Sequence, residues 1–106
     1  MTGLCLVSTT VADASQAKSL SELILMERLG ACVQCSQVLS RYHWEGKLCE
    51  EVEQLLQVKT TTQACDKLCD LIAANHPYKV PEIIVTPIVS AAADYSKWVK
   101  DSIFSG

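Results

Sequence analysis

Basic runs are missing from this sequence. Its nine lysines and arginines are scattered among twelve acidic residues, for a formal net charge of −3. Such a chain offers no electrostatic footprint to a nucleic-acid backbone. Long apolar runs are missing as well: none approaches the roughly 20 residues that span a bilayer, so no membrane segment is expected. The opening stretch, "MTGLCLVSTTVADAS", has no basic residue ahead of its apolar ones and does not read as a secretory signal. The expected location is the cytoplasm. Imidazole is scarce, with two histidines, and one imidazole alone is never a complete metal site. Neither Gly-x-Ser-x-Gly nor His-Glu-x-x-His occurs, and no nucleophile–base pair stands at a recognisable spacing. An enzyme is not expected.

What is present is a globular composition, 49% hydrophobic and 20% charged over 106 residues. Residues 1–106 are read as one domain. A chain of this size buries roughly two-thirds of its unfolded surface, which leaves little margin and favours association with other subunits. The six cysteines, Cys5, Cys32, Cys35, Cys49, Cys65 and Cys69, form no expected disulfide framework without a secretory signal. They read mostly as small buried hydrophobes.

The apolar pattern changes period along the chain. "GLCLVSTTV" predicts a strand. Asp13 followed by Gln16 is a capping-box spacing that opens a helix. In that helix Ala17, Leu20, Ile24 and Met26 to Leu29 supply the apolar face, Lys18, Glu22 and Arg28 face water, and Gly30 closes the helix at C′. "ACVQCSQVLSRYHW" and "LCEEVEQLLQVK" read as long strands joined by the turn "EGK", with Gly46 at positive φ. That ribbon is longer than a small domain can cover alone. A second helix begins near Thr61 or Thr62, puts Cys65, Leu68, Cys69, Ile72 and Ala73 on one face, and ends at Pro77. "EIIVTPIV" is a short strand, and Pro81 and Pro87 suit a sheet edge or strand ends better than a centre. "AADYSKWVKDSIF" is a last amphipathic helix with Tyr95, Trp98, Val99 and Ile103 towards the core. The expected fold is α+β: a ferredoxin-like βαββαβ unit with an antiparallel sheet and an additional C-terminal helix. Helices would cover one face of the sheet, and another copy of the protein the other.

Five stretches in this order carry a resemblance: "RLGACV", "SRYHWEGKL", "LLQVKTT", "HPYKVPEII" and "DYSKWV". Together they resemble the CutA family of divalent-cation tolerance proteins over nearly the whole chain. The resemblance implies a homotrimer with PII-like architecture, a part in copper and other divalent-metal tolerance, and no defined catalytic reaction. It implies copper held by a first-strand cysteine and a histidine pair before Pro-Tyr. Of those positions only His76 is kept here, because Thr9 and Asn75 occupy the other two and the strand cysteine is Cys5. His76 is thus the metal-ligand candidate, with copper bound weakly as the implied cofactor. The rival reading gives His76 local hydrogen bonds at a helix end. The resemblance also gathers Lys59, Tyr78, Glu82, Tyr95 and Trp98 around a cleft between subunits. Three alanines, Ala91 to Ala93, replace the glycine usual before the last helix.

The remaining candidates follow from the residues themselves. Cys32 and Cys35 sit three apart in a strand and face opposite ways, so they cannot readily chelate one ion. Cys65 and Cys69 share the helix face that builds the core. All four are read as structural thiols. The acidic group Glu50, Glu51 and Glu53 could attract divalent cations loosely, or be a solvated hairpin, or form inter-subunit ion pairs with Lys47 or Arg41. The leading functional expectation is a trimeric metal-tolerance protein. The alternative is a PII-like small-ligand sensor or protein-anchoring scaffold that uses the inter-subunit cleft.

Overall fold

The computed structural model describes residues 2–103. The elements run β1 (Leu4–Val11), α1 (Ala14–Met26), β2 (Cys32–Trp44), β3 (Lys47–Thr61), α2 (Cys65–Asn75), β4 (Ile84–Pro87) and α3 (Ala93–Ser102). The sheet order is β2-β3-β1-β4 and every pairing is antiparallel. This is the ferredoxin-like α+β topology with an extra C-terminal helix. Phe104, at the end of the predicted last helix, lies outside the described residues.

Period-two alternation decides which face each strand residue takes. Cys5, Val7, Thr9 and Val11 of β1 lie opposite Thr60, Val58, Leu56 and Gln54 of β3. They share the face covered by α1 and α2. There Val7, Leu56 and Val58 pack with Ala17, Leu20, Ile24, Leu68 and Ile72 in one buried cluster. The second face carries Leu4 and Leu6 of β1, Cys49 to Lys59 of β3 at odd positions, and Cys32 to Trp44 of β2 at even ones. At one end α3 packs against β3, and its Val99 and Ile103 are buried, as is Leu4, apart from the main cluster.

The capping box forms with a variation. Asp13 Oδ1 accepts from the Gln16 amide at 2.9 Å, while Gln16 Oε1 accepts from the Ala12 amide at 3.0 Å. The far end of α1 differs from expectation. The helix stops at Met26, and the left-handed position is taken by Arg28, with φ +58°. Gly30 is there because of space: a Cβ would stand 2.6 Å from Val58 Cγ1 and 2.7 Å from Ile24 Cγ2. Met26 is not on the apolar face but 79% exposed. The Glu45–Gly46 turn has positive φ at both residues, as a two-residue type I′ hairpin requires.

Beyond the cover of the helices, β2 and β3 run on as a two-stranded ribbon. β1 pairs with β3 only from Gln54 onwards, so among the described residues the stretch Lys47 to Glu53 has β2 as its sole strand neighbour. The molecule is accordingly elongated, 45 × 25 × 20 Å.

Candidate functional site

After α2 ends, the chain rounds the C-terminal end of β1. His76 marks the crossing, and its ring is held on both sides. Nδ1 accepts the Tyr78 amide N–H at 3.1 Å. An amide nitrogen can only donate, so the ring proton lies on Nε2. From there it points to the Thr10 carbonyl oxygen at 2.8 Å, with Thr9 Oγ1 at 3.1 Å. The two positions that the family resemblance gives to copper ligands therefore do meet, but as imidazole and hydroxyl. Asn75, at the third, turns its side-chain amide back to the Leu71 carbonyl at 2.9 Å. Among the described residues no group of three His, Cys, Asp or Glu side chains is arranged to hold a metal ion.

The next residues lie over the second face. Tyr78 packs edge-on to His76, with ring centroids 4.8 Å apart, and its hydroxyl donates to Glu53 Oε2 at 2.7 Å. Burial raises the Tyr78 hydroxyl pKa above that of a free tyrosine, and Glu53, through this hydrogen bond and its charge, raises it further. Tyr78 therefore remains a donor. Glu53 itself is only 5% exposed, whereas the sequence groups it with Glu50 and Glu51 as one acidic patch. It lies opposite Val38 where the segment 76–83 folds over the sheet, and that cover is invisible in strand parity. Around this pair opens a cleft of about 610 Å³ whose walls include Tyr42, Trp44, Glu51, Lys79 and Glu82.

The five residues predicted to share a cleft fall into two groups within one chain. Tyr78 and Glu82 line the cleft just described. Lys59, Tyr95 and Trp98 stand at the other end of the second face. There Lys59 Nζ donates to Gln34 Oε1, and the Tyr95 and Trp98 rings lie 5.6 Å apart. Glu53 and Lys59 are six residues apart on one strand, about 20 Å at the usual rise. Tyr95 and Trp98 do not point into the core as expected: they are 40% and 48% exposed, and Val99 and Ile103 do the packing.

The thiols also separate. Cys65 is buried and Cys69 half-buried in the core with Cys5, and burial pushes Cys5 up to about 12 and Cys69 up to about 11, with Cys65 adding to both shifts. Cys5 and Cys69 are thus inert protonated thiols at neutral pH. Cys32 is half-buried on the second face, and Cys35, on the opposite one, is exposed with its sulfur 3.7 Å from Ser21 Oγ. Cys35 is therefore no core thiol: it lies on the helix-covered face but stays exposed. Of the acidic group, Glu50 bonds Arg41 Nε at 3.1 Å across the hairpin of the same chain, whereas Glu51 and Glu53 face the cleft.

The site thus joins a histidine hydrogen-bonded at both ring nitrogens and a lined cleft to a ferredoxin-like unit with a projecting two-stranded ribbon. Residues 5–102 match the CutA1 divalent ion tolerance protein family. The divalent-cation tolerance protein CutA of Thermus thermophilus is 40% identical over 97 residues, 91% of this chain and 94% of that protein. The chloroplastic protein CutA of Arabidopsis thaliana is 38% identical over 97 residues, 91% of this chain and 53% of that one. The structure of CutA from Synechococcus elongatus superposes with a TM-score of 0.95 at 31% identity, over 98% of this chain and 93% of that one. The chain belongs to the CutA1 family, which is non-catalytic.

Proposed function

We propose that this protein serves divalent-metal tolerance as a cytoplasmic homotrimer that binds copper or a related ion weakly, rather than holding it as a fixed cofactor. Membership of the CutA1 family carries this reading. The weakness follows from His76. A metal at either ring nitrogen must displace the Tyr78 amide or the Thr10 carbonyl, and among the described residues no set of thiol, imidazole and carboxylate ligands converges beside it. The test is calorimetric titration of the reduced protein with copper and zinc, alongside light scattering. Saturable binding nearer millimolar than nanomolar, lost in His76→Ala, is the expected result. Binding that survives His76→Ala but disappears in Glu51→Gln moves the ion to the carboxylates. Nanomolar binding by the wild type overturns the reading.

The split of the cleft residues supports the trimer. A cyclic assembly joins unlike patches head to tail. The Tyr78–Glu82 end of one subunit would then meet the Lys59–Tyr95–Trp98 end of the next, forming the cleft between subunits that one chain lacks. The lined cleft favours a second reading, a PII-like sensor of a small ligand. Light scattering that reports a monomer at all concentrations sinks the assembly.

A further inference from the structure

We draw no further inference here: the strongest candidate, the exposed apolar face of the outer β2–β3 ribbon carried by Leu39, Leu48 and Val52, has nothing in the structure to show what covers it beyond the further copy of this chain already proposed above.

Discussion

Leu56 and Val58 are fully buried, while Val52 and Leu48, on the same strand and the same face, are 54% and 75% exposed. Parity is identical and side-chain chemistry nearly so. The difference is cover. Over Leu56 and Val58 lie α1 and α2; over Val52 and Leu48 lies no described part of this chain. An alternating pattern fixes which way a strand residue points, but burial needs a second layer. A two-stranded ribbon with an apolar face is marginal in water, so the outer half of the β2–β3 hairpin is where a subunit interface would supply the missing layer.

The comparison is broken most directly from its buried side. Leu56→Ala should cost about 2–5 kcal/mol, the range for emptying a sealed core position, read as a shifted midpoint in denaturant unfolding. Gly30→Ala adds atoms where Leu56→Ala removes them. Its new methyl would press on Val58 and Ile24, and overpacking of this kind costs about 1–3 kcal/mol. Were Gly30 a helix terminator chosen for its φ, alanine would act through the backbone alone. Here its φ is ordinary, and the close contacts predict that Gly30→Ala is rescued in part by Val58→Ala. A strictly additive double variant would refute that account.

Tyr78→Phe comes next. It removes the donor to a nearly buried carboxylate and should cost about 1–3 kcal/mol. The raised hydroxyl pKa adds a sign. A tyrosine whose folded value exceeds its unfolded value contributes stability that is complete below about pH 10 and lost as pH rises through the folded value. The gap between wild type and Tyr78→Phe should therefore be constant through neutral pH and narrow only in strong alkali. A gap that narrows below about pH 9 would mean that another group is responsible.

The same contrast explains how far the sequence could be read. Element order, the capping box at Asp13, the Glu45–Gly46 turn and the edge position of β4 were all legible, because each rests on local period or turn chemistry. The helix stop at Met26, with Arg28 left-handed beyond it, was missed because a non-glycine left-handed residue leaves no sequence mark, whereas a nearby glycine offers a false one. His76 was legible as a residue of interest. Its double hydrogen bond was not, since Thr9 and Thr10 lie 67 and 66 residues away and reach it only through tertiary packing of the α2 end against β1. Glu53 was hidden for a like reason: its cover comes from Tyr78, twenty-five residues on. Tyr95 and Trp98 were assigned inward because aromatic residues usually are, yet the helix turns its aliphatic side to the sheet.

The smallest effect expected on the chain's own fold belongs to the outer ribbon, and it sharpens the comparison most. Val52→Asp alters a half-exposed side chain with no helix above it, so for an isolated subunit the cost should stay within about 0.5 kcal/mol. In a trimer that buries this face against a neighbour, the same aspartate would be desolvated without a partner, and assembly would fail. The two costs separate by dilution, because stability gained through association depends on protein concentration. If the proposed trimer forms through this face, light scattering should show the wild type as a trimer and Val52→Asp as a folded monomer. Its unfolding midpoint should no longer move with concentration. If Val52→Asp leaves the trimer intact, the ribbon's apolar face is not the contact surface. Its exposure beside the sealed Leu56 would then be a property of the assembled protein as well.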